Sequence, residues 1–441
     1  MSVERIISEV HASRKELAEV CSQLVRHPSD HPEGRTDGCV GYIKEYFDEL
    51  GVRSQIYMRD EGKPNIVVKI KGESRRKILW VGHNDVVPAG DPQTWTLPPY
   101  SGTIANGRVW GRGASDMKGS NASAMVAAKI LSRLDSPHDI DFWFTCDEEI
   151  GGGAGAKWLA EEQVFEGEVA IVGDSSGCTP GLVNIAVGNK GGMSTTLIAE
   201  GKTAHASTPY LGDNAIDKLL QVIPYVRRVA DFRLELPEEL EPILESTVDF
   251  MLKDEAFDEE QRNAVRKLFD YPSGPSLNLI NGGVKSNVVP DSATALFDIR
   301  LTPGCDAMKV KEYVEGLVAE ASVPGVKVEA RTMPKVGFYE PGDSPAVKSL
   351  SRAVETVTGV RPVLTVAPWG TDAVVIKRNT TTPKLPKGIP CLLYGPMLRD
   401  QLHQPNEYVT IDNLVTAAKV YGVFPFFYGK ERAQRYVVDI Y

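Results

Sequence analysis

Several acidic and histidine residues of this chain directly follow runs that predict β-strands. His83 and Asp85 come after one apolar, β-branched run, and the pair Glu148 and Glu149 comes after another. Because the carboxyl ends of strands meet at one edge of an α/β sheet, we expect these side chains to converge. Imidazole and carboxylate are the ligands that hold zinc and related metals in proteins. The pattern therefore predicts a metal-dependent hydrolase site.

The number of these groups suits two metal ions. A two-metal site needs about one histidine and one carboxylate for each ion and a shared carboxylate, with the ions about 3.5–4 Å apart. The chain supplies this count in segments that are far apart in sequence. The predicted metal ligands are His83 and Asp174 for one ion, Glu149 and His403 for the other, and Asp116 as the bridge.

Two further carboxylates have predicted catalytic roles. Asp85 lies two residues after His83, where it can accept the ring N–H and orient the imidazole. Glu148 lies next to a predicted ligand, where it can take a proton from the bridging water and prepare it for attack on a carbonyl.

The elements that would position these residues alternate between strands and helices, which predicts an α/β sandwich. Between residues 188 and 331 the order changes to β-α-β-β-α-β, the ferredoxin-like motif. We therefore predict a catalytic domain formed by residues 1–187 and 332–441, interrupted by a second domain at 188–331. Within that domain, an acidic and mostly helical stretch at 231–270 is expected to be a solvated surface insert.

With these motifs in this order, the chain resembles the M20 metallopeptidase family, which includes acetylornithine deacetylases, succinyl-diaminopimelate desuccinylases, aminoacylases and dipeptidases. The resemblance implies a phosphorylase/hydrolase-like three-layer catalytic domain with an inserted ferredoxin-like α+β lid or dimerisation domain. It also implies a homodimer formed through that lid. The matching motifs are His83-x-Asp85, the Gly111–Gly119 segment, Glu148-Glu149 with Gly151-Gly152, Asp174, the Gly201–Ser207 segment, and His403.

The same resemblance implies roles for residues that spacing alone does not single out. The counterpart of His205 reaches into the partner subunit's site and hydrogen-bonds the oxyanion, which is electrostatic stabilisation of developing charge. Asn287 and Arg300 are similar to lid residues that contact substrate, and a guanidinium suits a substrate carboxylate. Gly370 and Thr371 resemble the start of the family's substrate-carboxylate loop.

We predict a dinuclear metal-dependent hydrolase that cleaves an amide or peptide bond in a small, carboxylate-bearing substrate. The ligand at Asp174 tends to be Asp in the family's aminopeptidases and dipeptidases, which favours a dipeptide. The alternative is an N-acyl amino acid deacylase of the acetylornithine deacetylase or succinyl-diaminopimelate desuccinylase type. Zn²⁺ is the expected metal, with Co²⁺ or Mn²⁺ also compatible with these ligands. A non-catalytic binding protein on the same scaffold is disfavoured, because neither the base nor any ligand is missing.

Composition limits the partners and the compartment. The 441 residues carry a formal net charge of −10 and no basic stripe, which argues against a nucleic-acid partner. No apolar run is long enough to span a membrane. The six cysteines are scattered and form no C-x-x-C motif, so we expect reduced, mostly buried thiols in a cytoplasmic protein.

Overall fold

The computed structural model describes residues 3–253, 257–329 and 334–429. The chain divides into two compact units. The first unit takes in the described parts of Met1–Val187, Glu340–Thr365 and Thr371–Tyr441, and the second those of Gly188–Tyr339 and Val366–Gly370. Among the described helices, none is long and apolar enough to cross a lipid bilayer.

A mixed β-sheet forms the centre of the first unit, in the order β1-β2-β6-β3-β7-β15-β8, with β14 also paired to β8. A separate three-stranded sheet has the order β16-β5-β4. The boundary between the units falls within β8 and within β14. Numbered along the whole chain, these strands are β1 (Ser54–Met58), β2 (Pro64–Ile70), β3 (Gly72–His83), β4 (Thr103–Ala105), β5 (Arg108–Trp110), β6 (Ser136–Thr145), β7 (Val169–Gly177), β8 (Asn184–Asn189), β14 (Val363–Ala367), β15 (Cys391–Gly395) and β16 (Tyr408–Thr410).

The middle of the sheet is parallel, since β3 runs parallel to both β6 and β7, and β15 runs parallel to β7. The carboxyl ends of these four strands therefore lie at one edge, where ligand sites of α/β sheets are found. The second half of β3 is buried on both faces, from Ile78 to His83, as expected for a central strand covered by helices.

Eight helices are described in the first unit. Helix α4 is buried along most of its length and packs against α12, α2 and the central strands, which its many Ala and Ser residues permit by close approach. The helices are α1 (Val3–Ala12), α2 (Arg14–Val25), α3 (Asp37–Glu49), α4 (Gly119–Arg133), α5 (Ala156–Glu161), α10 (Pro345–Thr358), α11 (Asp372–Asn379) and α12 (Ile411–Val423).

Local sequence explains where some of these helices begin and end. Helix α10 follows Ser344, whose hydroxyl accepts the backbone N–H of Val347, and Pro345 occupies the first helical position. Gly359 ends the helix at φ +72°, a backbone conformation that glycine adopts at little cost.

The second unit has a four-stranded antiparallel sheet in the order β10-β11-β9-β12, with α6 and α9 packed on it. This strand order and the β-α-β-β-α-β chain order make it ferredoxin-like, so the predicted α/β fold with an inserted α+β unit is confirmed. Its elements are β9 (Gly191–Glu200), α6 (Ala215–Arg227), α7 (Glu241–Met251), α8 (Glu259–Lys267), β10 (Ser273–Gly282), β11 (Ser292–Leu301), α9 (Ala307–Glu320), β12 (Val326–Val328) and β13 (Phe338–Tyr339).

Candidate metal centre

Three parallel strands of the first unit place predicted ligands at one edge of the sheet. His83 is the last residue of β3, and Asp174 lies within β7. Glu149 lies in a short 3-10 turn, Glu148–Ile150, that begins soon after β6 ends. Since β3 is hydrogen-bonded to both β6 and β7, neighbouring strands place the three residues at the same edge of the sheet, and no long loop is needed to position them.

The remaining two predicted ligands arrive from loops. Asp116 lies in the distorted helical turn that leads into α4, and His403 follows β15 with a φ of +58°. One carboxylate oxygen of Asp116 lies 3.3 Å from Nε2 of His83, and the other lies 3.4 Å from Nε2 of His403. Nε2 of His403 is also 3.5 Å from Oε2 of Glu149. Asp116 therefore offers one oxygen to each histidine, which is the geometry that a bridging carboxylate requires.

These spacings suit metal ions. Ligand atoms about 2.0–2.2 Å from a tetrahedral ion lie about 3.3–3.6 Å from one another, and the two Asp116–histidine separations and the His403–Glu149 separation fall in this range. The potential ligand atoms form two groups that share His83, one with Glu148 and Asp174 and the other with Asp116 and Glu149. Within each group, the atoms all lie within 4.8 Å of one another.

Two buried polar atoms at this edge also favour a cation. Within residues 3–253, 257–329 and 334–429, Nε2 of His83 and Oε1 of Glu149 are buried and have no hydrogen-bond partner. Nδ1 of His83 lies 2.9 Å from the backbone carbonyl of Asp85, an acceptor, so Nδ1 carries a proton in either protonation state and Nε2 is the nitrogen that would coordinate a metal ion in place of a proton. Buried polar atoms without partners are costly, and a bound metal removes that cost.

The electrostatics of the cluster agree with this interpretation. Burial, together with repulsion from neighbouring carboxylates, raises the pKa of Glu148, Glu149 and Asp174. Burial lowers the pKa of His83, but the surrounding carboxylates outweigh it and raise that pKa well above its ordinary value. Hydrogen bonding to two carboxylates raises the pKa of His403 to about 10. The metal-free cluster therefore retains protons that divalent cations would replace.

The Asp85 side chain has different partners from those expected. Its carboxylate oxygen is 3.7 Å from Nδ1 of His83, which is bonded instead to the Asp85 backbone carbonyl. The fully buried Asp85 carboxylate accepts the backbone N–H groups of Glu148 and Glu149, each at 3.1 Å. It also accepts a hydrogen bond at 2.9 Å from Nε2 of His31. Asp85 therefore fixes the turn that carries both glutamates.

His31 is a residue that the sequence did not single out, since it stands in the segment 27–32, which has no helical or strand periodicity and is predicted to be a loop. The structure buries it, and Gly34 makes room for its ring: a Cβ at Gly34 would lie 2.5 Å from Cε1 of His31. The only sequence signal was an ionisable residue beside a conformationally restricted His31-Pro32 step.

Asp147, the residue before the two glutamates, also stabilises the turn that carries them. Its carboxylate pairs with Nζ of Lys63 at 2.6 Å and accepts the backbone N–H of Ala154 at 3.1 Å. Gly151 closes the turn at φ +100°, a conformation that side chains other than glycine rarely adopt. The sequence pattern of two acids followed by glycines thus has a direct geometric cause.

Thr371 and Asp372 lie at the start of α11. Thr371 caps the helix by accepting the backbone N–H of Ala373, and Asp372 is buried with one oxygen 3.3 Å from Oγ1 of Thr145, the last residue of β6. Burial raises the pKa of Asp372 to about 7. Sequence reasoning placed Asp372 with Gly370 and Thr371 in a segment that resembles the family's substrate-carboxylate loop, and the structure buries its carboxyl group beside Thr145.

The remaining predicted residues belong to the second unit. His205 is exposed, and its backbone bridges to Val288 beside Asn287, so these two predicted residues lie close together. Arg300 pairs with Asp298 at 2.9 Å, and a Cβ at Gly370 would lie 3.9 Å from its Nη1. Arg300 therefore has an ion-pair partner within its own unit, and its role in substrate binding stays a prediction.

Comparison with known proteins places the chain in a family. The family model for peptidase family M20/M25/M40 matches residues 79–424. The chain is 28% identical over 412 residues to succinyl-diaminopimelate desuccinylase of Paracoccus denitrificans, covering 92% of this chain and 96% of the relative.

Two solved structures share the fold. The M20 family metallo-carboxypeptidase Sso-CP2 from Sulfolobus solfataricus has a TM-score of 0.76 at 22% identity, over 94% of this chain and 99% of that one. The di-peptidase Dug1p from Saccharomyces cerevisiae has a TM-score of 0.75 at 18% identity, over 97% and 98%. The matched length and the acidic, histidine-bearing strand ends lead to one conclusion: the chain belongs to peptidase family M20/M25/M40 and is a metal-dependent hydrolase of amide or peptide bonds.

Proposed function

We propose that this enzyme binds two divalent ions and hydrolyses small substrates with a free carboxylate, dipeptides in the first place. The observation that carries the proposal is the position of Asp116 between His83 and His403, with one carboxylate oxygen toward each ring. In this assignment His83 and Asp174 hold one ion, and Glu149 completes the other with His403.

Zn²⁺ fits this set of nitrogen and oxygen ligands and the separations of the ligand atoms, and Co²⁺ or Mn²⁺ would be accepted as substitutes. When bound, the ions would acidify the nucleophilic water and polarise the scissile carbonyl. Glu148 is the general base: its carboxylate takes the proton of that water and passes it to the leaving amine. The Asp85 carboxylate keeps Glu148 in place by accepting the backbone N–H of Glu148.

His205 would stabilise the oxyanion from a second copy of the chain. The backbone N–H of Ser207 donates to Nδ1 of His205 at 3.2 Å, so the ring proton lies on Nε2, which can then donate to developing negative charge. Asn287 beside it and Arg300 are the proposed contacts to substrate, together with the Gly370–Thr371 segment.

A homodimer through the second unit is part of this proposal. Strand β10 lies at the edge of its sheet, and the side chains of Leu279 and Ile280 on it are 58% and 49% exposed. An exposed apolar edge strand is a template for pairing with another chain. We place the enzyme in the cytoplasm, which the buried cysteines support, since none of the six is in a disulfide.

A second candidate is an N-acyl amino acid deacylase, favoured by the similarity to a desuccinylase along 96% of that relative's length. The two candidates share the metal centre and differ in the acyl group on the carbonyl side of the cleaved bond, which is an aminoacyl group in a dipeptide and an acetyl or succinyl group in the deacylase substrates. Asp174 is the residue that led us to put the dipeptide first.

One experiment tests the mechanism and the substrate class together. Metal-free protein is loaded with Zn²⁺, Co²⁺ or Mn²⁺, its metal content is measured, and dipeptides, N-acetyl and N-succinyl amino acids are tested as substrates. We expect two ions per chain and dipeptide hydrolysis. Glu148→Gln should keep both ions and lose activity by about 10²–10⁴-fold, the usual contribution of a general base. Glu161→Gln, an exposed change on α5, is the matched control.

Hydrolysis of acylated amino acids alone would replace the dipeptide by the deacylase candidate. Full activity in Glu148→Gln, or fewer than two ions in the wild type, would contradict the proposed mechanism. The role of His205 is tested by mixing inactive His205→Ala and Glu148→Gln proteins. If His205 acts on the partner's site, mixed dimers regain activity, whereas action within one chain leaves the mixture inactive.

A further inference from the structure

A buried ion pair joins the two loops that carry Asp116 and His403. Nη1 of Arg112 lies 2.6 Å from Oε2 of Glu407, and the side chains are only 3% and 1% exposed. Arg112 lies four residues before Asp116, and Glu407 lies four residues after His403. Two ligand-bearing segments far apart in sequence are thus connected directly behind the metal centre.

Glu407 holds the backbone of the Asp116 loop as well as the guanidinium. Its Oε2 accepts the N–H of Gly113 at 3.0 Å, and its Oε1 accepts the N–H groups of Ser115 at 2.8 Å and Asp116 at 3.0 Å. With Arg112 as the fourth donor, both oxygens of this buried carboxylate are fully used. The backbone of the bridging ligand is therefore bonded to a residue of the His403 loop.

Arg112 completes the connection in the opposite direction. Its guanidinium donates to the backbone carbonyls of His403 at 3.4 Å, Gln404 at 3.3 Å and Pro88 at 3.4 Å. A planar fork with several donors can make these contacts at once, which a lysine ammonium at the end of a flexible stem cannot reproduce. The carbonyl of His403 itself is thus fixed by a residue of the Asp116 loop.

We propose that Glu407 and Arg112 are positioning residues that set the separation of Asp116 and His403 and so create the binding position for the second ion. This inference rests on the proposed function, because it takes the ligand assignment from there. The other ion shares Asp116, but its remaining ligands His83 and Asp174 are fixed by the strands β3 and β7 rather than by this pair. The effect of the pair should therefore be larger for the second ion, which has both Asp116 and His403 as ligands.

The test is a titration of Co²⁺ alone into the metal-free Glu407→Gln variant. Binding is measured by calorimetry and by the visible absorption of bound Co²⁺. We expect the second ion to bind about 10–100-fold more weakly, the usual cost of losing an outer partner of metal ligands, and the ion held by His83 and Asp174 to be weakened much less. The absorption band of the weakened ion should change, because the band reports its coordination geometry. Arg112→Lys, which keeps the charge, should show the same selective loss.

Glu340→Gln is the matched control. Glu340 is also a buried glutamate of the first unit, 7% exposed, paired with Lys377 and accepting the backbone N–H of Cys391 at 3.2 Å, but it does not hold a ligand loop. Its replacement should lower the thermal midpoint and leave both Co²⁺ affinities unchanged.

Three outcomes would overturn the inference. One is wild-type affinity for both ions in Glu407→Gln and Arg112→Lys. Another is equal weakening of both ions, or the same weakening in Glu340→Gln, which would indicate general destabilisation. The third is loss of cooperative unfolding in both variants, which would make the pair a requirement of the fold. A wild-type chain that binds fewer than two Co²⁺ ions would instead contradict the proposed function.

Discussion

The Asp85 carboxylate receives a hydrogen bond from Nε2 of His31 at 2.9 Å, and both residues are buried. Since the same carboxylate accepts the backbone N–H groups of Glu148 and Glu149, His31 supports the glutamate turn from a segment far away in sequence. The N–H group of the His31 ring also stabilises the negative charge of the buried Asp85 carboxylate. Burial would raise the pKa of Asp85, but the hydrogen bond from His31 lowers it.

His31→Phe should therefore impair both catalysis and stability. The ring is retained but its donor is lost, which leaves a buried carboxylate short of a partner, at a cost of about 1–3 kcal/mol in the free energy of unfolding. A looser glutamate turn should lower kcat by about 10–100-fold, as for other residues that hold metal ligands in place. Urea unfolding and steady-state kinetics measure the two effects. The exposed His11→Gln should change neither, and normal kcat in His31→Phe would refute the supporting role.

Removal of metal should make stability depend on pH near neutrality. In the metal-free protein, burial raises the pKa of Glu148, Glu149 and Asp174 above their unfolded values. The pKa of His83 is also raised. The folded state then binds more protons than the unfolded state, so stability is greatest at low pH within this window and is lost as pH rises.

We therefore expect the thermal midpoint of chelator-treated protein to fall relative to that of Zn²⁺-loaded protein between pH 6 and pH 8, the range that surrounds the pKa of about 7 of buried Asp372 and lies below the pKa of about 10 of His403. Differential scanning calorimetry at several pH values measures this directly. A metal-free midpoint that rises with pH would show that the carboxylates are not protonated together in the folded cluster.

Metal binding should release protons, and His403 should be one source. Its pKa of about 10 in the metal-free protein means that the ring is protonated at neutral pH, whereas a coordinating imidazole must be neutral at Nε2. Apparent affinity should thus rise with pH from 6 to 9. Calorimetric titration of Zn²⁺ in two buffers of different ionisation enthalpy counts the protons. His403→Ala should release fewer, and an unchanged count would exclude His403 as a proton-releasing ligand.

Lys190 in the second unit should give an opposite pH effect on stability. Its side chain is buried, donates to the Leu268 carbonyl and to Oγ of Ser273, and burial lowers its pKa to about 7. The unfolded value is about 10.4, so the folded state binds fewer protons between these two values and stability should increase as pH rises from 7.

Comparison of the wild type with Lys190→Met isolates this contribution from the other titrating groups. We expect the difference in the free energy of unfolding to shift in favour of the wild type between pH 7 and pH 8.5, measured by denaturant unfolding. A difference that does not change with pH would indicate that Lys190 stays charged in the folded state.

The sequence was sufficient for the fold and for the position of polar side chains at strand ends, because apolar β-branched runs mark the strands and these side chains follow them directly, while their role as metal ligands stays a prediction. His83 and Glu149 are examples. His31 and Glu407 could not be found in this way, since their contacts reach Asp85 and Arg112 across long stretches of chain. Nor does residue type indicate which oxygen of Asp85 faces His83: the backbone carbonyl is nearer than the side chain.

Strand β15 pairs with β7 in the middle of the sheet, although β7 precedes the inserted unit and β15 follows it. During synthesis on the ribosome, the nascent chain thus displays His83, Glu149 and Asp174 long before His403 emerges. Any chain cut off before β15 lacks His403, so it cannot bring all five predicted ligands together. On the proposed mechanism, the complete metal centre would therefore form only after β15 has paired with β7.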